Sequence, residues 1–495
     1  MTGTVQKSQT TTERLLAMIR DGKKMSLRQQ LRLTAYLSAP AIMAQLSAIA
    51  MQYIDASMVG SLGAEASASI GLVSTTTWLF WGFLSAAATG FSVQVAQTVG
   101  AGDFRRARNI LRQAFIAVII FSVTLAAIGI AISDALPRWL GGDEAIRHDA
   151  SRYFLIFSLF LPALQMSFLG GAMLRCAGNM KVPSTLNVMM CVIDVILNFF
   201  LIFPSRAISF VGLTIRIPGA GMGVEGAALA TVLAETIVAA LMIYYLVARS
   251  PLLKLTDERG SFKPRRHTLS KAVRISLPMG LEHAAICGAQ ILVTVIVAPL
   301  GIVAIAANAF AVIAESLCYM PGYGISEAAT TLAGQSLGAG RIRLTNSFGV
   351  ITATSAMTVM GVLGVVMYLF APQIIGVMTP VDDIRILGAD ILRIEAWAEP
   401  MFAAAIVIYG FFVGLGQTIV PSIMNLVSIW GVRLTLAAWL APTMGLRGVW
   451  LAMCIELCFR GAIFLFLLLL RHMRRHPDNH NDSAPHQSTS KTTEQ

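Results

Sequence analysis

Apolar residues in this chain come in long blocks, and polar residues collect in short turns between them. Twelve blocks are long enough to cross the roughly 30 Å of a bilayer core as helices. They lie near 34–59, 67–96, 110–133, 150–173, 182–204, 224–248, 273–298, 303–333, 346–370, 388–412, 420–441 and 447–471. The pattern predicts an all-α integral membrane protein with twelve transmembrane helices.

The blocks repeat. Ser38 and Pro40 return as Ser276 and Pro278, Leu62-Gly63 as Leu300-Gly301, and Gln97 with Gly100-Ala101-Gly102 as Gln335 with Gly338-Ala339-Gly340. Pro162, Gly178, Pro183-Ser184 and Asn187 return as Pro400, Gly416, Pro421-Ser422 and Asn425, all at one offset of 238 residues. The register then slips by 16, and Gly223 with Gly226 returns as Gly445 with Gly448. A constant offset through so many marks means two homologous halves of six spans, the pseudo-symmetric lobes of a transporter. Six is even, so both halves start on the same face and are related by an axis along the membrane normal. The organisation read from this is 1–32 as an N-terminal cytoplasmic segment, 33–248 as the N-lobe, 249–271 as a cytoplasmic linker, 272–471 as the C-lobe and 472–495 as a disordered tail.

Charge supplies the orientation. Arginine and lysine crowd residues 1–32, the turn with Arg105, Arg106, Arg108 and Arg112, the turn with Arg175 and Lys181, the linker, the turn with Arg341 and Arg343, and the tail. The opposite loops carry only Arg138, Arg147, Arg206, Arg216, Arg385 and Arg447. The basic side is expected to be cytoplasmic, with both termini there, in a plasma (inner) membrane. The chain of 495 residues is 56% hydrophobic and 13% charged, far below the roughly 25% charged of soluble domains. Its formal net charge of +11 therefore reads as topogenic, and no nucleic-acid partner is expected. The six cysteines fall in or beside apolar blocks without a C-x-x-C pair and read as small packing residues. The tail histidines, His472, His476, His480 and His486, read as solvated. The glycine-rich turns lack the lysine and strand of a nucleotide cradle. No nucleotide, no cofactor, no structural metal and no enzyme constellation is expected.

Carboxylates inside spans carry the chemistry, because each costs about 2.5–3.5 kcal/mol to insert. The candidates are Asp55, Asp194, Glu282, Glu315 and Glu399, with Glu235 and Glu456 in spans 6 and 12 and Glu395 nearer a span end. None is kept in the other copy of the repeat: Asp55 faces Val293, Asp194 faces Val432, Glu282 faces Ala44, Glu315 faces Thr77 and Glu399 faces Leu161. The duplicated scaffold does not need them. Gln45, Gln52 and Asp55 share one helical face, as do Asn187, Cys191, Asp194 and Asn198. Such stripes must face protein or water. Asp55 and Asp194 are the expected proton or cation pair, and a transient Na⁺ is an alternative occupant there or at Glu282. Pro278 lies one turn before Glu282 and frees a backbone carbonyl near it. His283 reads as polar packing, and Arg433 and Arg460 as partners of buried acids.

With IDASMVGSLGAEASASIG around Asp55, AQTVGAG, LRCAGNMKVPSTLN, LAGQSLGAGR and GLGQTIVPSIMN, the chain over 33–471 resembles the multidrug and toxic compound extrusion (MATE) family. The resemblance implies a MOP-like V of two six-helix lobes around a central cavity, and H⁺- or Na⁺-coupled antiport of organic cations by alternating access, as a monomer. It implies a coupling role for Asp55. Asp194 and Asn198 fall where members carry an Asn and then an Asp, here in reversed order. Glu282 corresponds to the acid of span 7, and Phe402, with Glu399 one turn away, falls at the acid of span 10. The alternative is a flippase for lipid-linked sugars. It would be expected to line its cavity with arginines, whereas acids predominate here.

Overall fold

The computed structural model describes residues 10–210, 213–256 and 260–474. The far tail, including His476, His480 and His486, and the first nine residues lie outside this set. Helix α1 (Thr11–Arg20) precedes the spans. The N-terminal half then runs through α2 (Leu27–Gly60), α3 (Ala64–Gly100), α4 (Phe104–Ile132), a single turn α5 (Leu136–Trp139), α6 (Glu144–Leu159) with α7 (Leu161–Cys176), α8 (Lys181–Leu201) and α9 (Gly223–Tyr244). The C-terminal half runs through α10 (Arg266–Val297), α11 (Ile302–Gly338), α12 (Ile342–Met378), α13 (Asp382–Ala396) with α14 (Glu399–Gly414), α15 (Ile419–Val427), α16 (Leu434–Met444) and α17 (Leu446–Arg474). A π-helical stretch, Ser428–Arg433, joins α15 to α16. Ten of these units are long and apolar enough to cross a membrane, and the bent pairs α6–α7 and α13–α14 bring the number to twelve.

Local chemistry explains the ends and the bends. Thr10 with Glu13 and Ser26 with Gln29 form capping boxes that satisfy the first amides of α1 and α2. Span 1 thereby starts at Leu27, ahead of the expected 34, and α10 starts inside the expected linker. Spans 4 and 10, expected as single helices, bend by 52° and 58° at equivalent places. Pro162 and Pro400 stand in the first turn of α7 and α14, where a missing N–H and a bulky ring break the hydrogen-bond ladder. Gly102 and Gly340 take left-handed φ values of 76° and 71° where α3 and α11 turn back. An L-residue there would cost roughly 1–2 kcal/mol. The marks of the repeat thus survive where the backbone demands them. The 16-residue slip also has a structural cause. An antiparallel hairpin, β1 (Pro204–Phe210) with β2 (Leu213–Ala220), lies between α8 and α9, while α16 and α17 meet directly at Gly445.

The halves meet at the basic face. Gln97 Nε2 donates to Gly414 O at 3.2 Å, and Gln335 Nε2 donates to Cys176 O at 2.9 Å. The offset of the repeat turns one bond into the other. Gly100 lies against the backbone of Gln335, and Gly338 against that of Gln97, so closely that a Cβ on either would overlap it. Small residues at a helix crossing let backbones touch in this way. Helix α1 adds a wedge: Leu15, Leu16 and Ile19 pack with Leu33, Leu37 and Met180 of the N-lobe and with Ala328, Leu332, Leu344 and Phe348 of the C-lobe. Arg341 Nη1 donates to Met18 O at 3.0 Å. The lobes are therefore held together on the side of the basic turns.

Candidate functional site

In the N-lobe, α2 and α8 bring Asp55, Asp194 and Asn198 together. Asn198 Nδ2 donates to Asp55 Oδ1 at 2.7 Å and to Asp194 Oδ2 at 3.0 Å. Asp194 is 0% exposed and Asn198 1%, while Asp55 is half-buried. Asn198 thus bridges the two carboxyls, while Thr231 of α9 donates to Ala227 O at 3.2 Å. Asp194 Oδ1 and Asn198 Oδ1 are buried and meet no donor. Two acceptors left without a partner beside two adjoining carboxyls make a place for a positive charge. The i, i+4 spacing of Asp194 and Asn198 puts both on one face of α8. Glu235 of α9 is buried nearby, with Oε2 also unpartnered.

Other members of the two polar stripes stand apart. Gln52 is exposed and makes no bond to the acids. Gln45 turns across the lobe boundary, with Nε2 at 3.4 Å from Glu327 Oε1. Asn187 offers its backbone carbonyl to Cys191 Sγ at 3.2 Å and does not join Asp194.

In the C-lobe, Glu282 of α10 is held by two donors. Tyr409 Oη donates to Oε2 and Asn425 Nδ2 to Oε1, both at 2.6 Å. Side-chain donors, not a carbonyl freed by Pro278, are what meet this acid. The neighbouring carbonyl of Ile275 is itself taken by Thr418 Oγ1 at 3.0 Å. His283 packs over Gly82 of α3, where a Cβ would overlap its ring. Glu315, Glu395 and Glu399 form a separate buried group where α11 meets the bend between α13 and α14. Both oxygens of Glu395 and of Glu399 lack hydrogen-bond partners. Glu395, expected near a span end, is fully buried because the bend tucks it inside. Arg433 and Arg460 converge on Glu456 at 2.8 Å and 3.1 Å, as a buried ion triad.

Sequence reasoning overlooked Tyr409 and Glu327. Glu327 pairs with Arg175 across the lobes at 3.5 Å. As a carboxylate in an apolar span, it carried the same signal as the acids that were singled out. Asn425 was noticed only as a mark of the repeat.

Comparisons with known proteins agree with this architecture. The MatE family model matches residues 40–200 and again 278–439, one copy in each half. A probable multidrug resistance protein NorM from Thermotoga maritima is 25% identical over 440 residues, covering 88% of this chain and 91% of the relative. A probable NorM from Idiomarina loihiensis is 27% identical over 476 residues, covering 90% and 95%. Among solved structures, the Vibrio cholerae MATE transporter VcmN in its bent form superposes with a TM-score of 0.77 at 18% identity, covering 94% and 99%. A MOP superfamily transporter from Pyrococcus furiosus, described by the reverse polarity of its binding pocket, superposes with a TM-score of 0.80 at 20% identity, covering 93% and 97%. With both halves matched by one family model and the twelve-span fold shared, the chain belongs to the MatE family and is a multi-pass membrane transporter, not an enzyme.

Proposed function

We propose that this protein is a multidrug efflux antiporter that exports organic cations in exchange for H⁺ or Na⁺, with the Asp55–Asp194–Asn198 group as its coupling site. The observation that carries the reading is Asn198 bonded to both acids beside two unpartnered buried oxygens. Two buried carboxyls bridged by one amide favour a proton or a cation beside them. Binding of the ion at this site and binding of a cationic drug then exclude one another, which is the logic of antiport. The names of the NorM relatives support the drug-export reading. Closure at the basic face, with Asp55 half-buried, fits one end state of an alternating-access cycle. In this reading the basic face and both termini are cytoplasmic, in a bacterial inner membrane.

Against a flippase for lipid-linked sugars stands the sign of the buried charge. Asp194, Glu235, Glu282, Glu315, Glu395 and Glu399 are buried, and the buried arginines are already engaged, Arg460 with Glu456 and Arg112 with Asn109 and the carbonyl of Leu255. A pyrophosphate would meet repulsion here.

The test is efflux of ethidium from proteoliposomes under ΔpH alone and under ΔNa⁺ alone. The reading expects one gradient to drive efflux, and Asp55→Asn and Asp194→Asn each to abolish it. Efflux that persists undiminished in both variants would sink the site, and no dye efflux under either gradient would sink the drug-antiport reading.

A further inference from the structure

Three arginines and a histidine line one cavity on the basic face, a lysine lies in the recess beside it, and no acid among the described residues pairs with their side chains. The cavity, about 440 Å³, lies between the α3–α4 turn of the N-lobe and the start of α10, the first helix of the C-lobe. Arg105, Arg106, Arg265 and His267 line it, and Lys271 lies in an adjoining recess that shares Arg106. The side chains of these first four make no ion pair or hydrogen bond among the described residues. Lys271 Nζ donates only to a neutral amide, Gln97 Oε1, at 2.9 Å. Among the described residues one acid lines it, Asp103, and its carboxylate caps α4 by accepting from Arg106 N at 2.9 Å.

Topogenic arginines explain a basic face but not this arrangement. These side chains are exposed, but the backbones that carry them are tied together around one recess. Arg265 N donates to Gln113 Oε1 at 2.9 Å and so ties the start of α10 to α4. Arg265 stands at the N-cap of a helix of 32 residues that has no side-chain cap, so its first amides lack a side-chain acceptor. Cations that converge in this way, at the depth where spans end, match a phosphate group. Guanidinium forks bind phosphate oxygens in pairs, and basic pockets at the ends of membrane helices suit anionic headgroups.

We infer that this cavity is a binding site for a phosphate-bearing anion, which bridges the two lobes while the basic face is closed. Its occupant is the phosphodiester of an anionic phospholipid or a soluble phosphate; the chemistry of recognition is the same. Because its walls come from both lobes, the site is complete only in the closed form, and an occupant favours that form. The inference is independent of the coupling ion and of the exported substrate.

The experiment uses the full chain in nanodiscs of phosphatidylcholine, with phosphatidylglycerol titrated in, or with inorganic phosphate added to the buffer. Thermal unfolding reports occupancy. Phosphatidylglycerol is expected to raise the unfolding temperature, and Arg106→Gln with Arg265→Gln is expected to weaken its apparent affinity about 30-fold, at roughly fivefold per surface cation. Arg106→Lys with Arg265→Lys should retain most of the effect. Stabilisation by inorganic phosphate in pure phosphatidylcholine, lost in the same glutamine variant, would support the site and name the soluble source. Equal responses of parent and glutamine variant to both anions would overturn it. Should that variant not fold, photoreactive phosphatidylglycerol on the unaltered protein decides: labelling within 103–113 and 265–271 supports the site, and labelling only elsewhere overturns it.

Discussion

Asn198 and Asn425 each hold a carboxylate that stands 143 residues earlier in the chain, Asp55 at 2.7 Å and Glu282 at 2.6 Å. Each pair joins the first and fifth spans of its own half. Yet the pairs are not equivalents in the repeat, which sets Val293 opposite Asp55 and Ala44 opposite Glu282. The N-lobe pair lies about three helical turns further from the basic face. The same crossing of helices thus carries an acid–amide lock at two depths, which explains why neither Asp55 nor Glu282 has an acid opposite it in the other half.

If Asn198 fastens α2 to α8 through Asp55, the two side chains are coupled in stability. A cycle of Asp55→Ala, Asn198→Ala and the double variant should give about 0.6–1.7 kcal/mol of coupling, the range for hydrogen bonds between membrane helices. Reversible unfolding in detergent measures it, and strict additivity would contradict the contact.

Glu456 answers two arginines in a dry interior. Glu456→Gln leaves Arg433 and Arg460 facing each other, and is expected to cost about 3–5 kcal/mol. Adding Arg433→Met should recover part of that loss. Thermal unfolding of the three forms is the check, and a Glu456→Gln protein as stable as the parent would refute a structural role for the triad.

Gly100 and Gly338 admit no side chain while the basic face is closed. Gly100→Val and Gly338→Val are expected to wedge the lobes apart there and to stop transport. Spin labels on the α3–α4 and α11–α12 turns should report a longer distance. Gly71→Ala, where an added Cβ meets nothing within 4 Å, should leave both readouts unchanged.

Helix α1 is held by burial on both lobes. Leu16 and Ile19 are 3% and 0% exposed. Leu16→Ala or Ile19→Ala should cost about 2–5 kcal/mol of local stability. Hydrogen exchange should quicken across α1 and in the segment around Arg341, whose guanidinium holds the end of the helix. Exchange that rises in α1 alone would show that the helix does not tie the lobes.

Much of the architecture was legible in the chain because its causes are local. Transfer from water to lipid acts on each residue type, so twelve apolar blocks announce twelve spans. The repeat was legible because positions such as Gly102 and Gly340 answer a backbone requirement that any sequence must meet. The bends in spans 4 and 10 were less legible. Pro162 and Pro400 were seen as marks of the repeat, but a proline breaks or merely kinks a helix according to the packing around it.

The sequence by itself determined the class of protein, its two halves and the short list of membrane acids. Each follows from residue type, period and offset along the chain. Only the tertiary structure decided which of those residues meet. It turned Gln45 to Glu327, left Gln52 exposed, gave Glu282 to Tyr409 and Asn425, and buried Glu395 beside Glu315 and Glu399. The rotation of each helix about its axis, and the side on which the lobes close, are set by contacts among residues far apart in the chain. Gly100 against Gln335 and Asp55 against Asn198 are two of these, and helical period along one span contains no information about them.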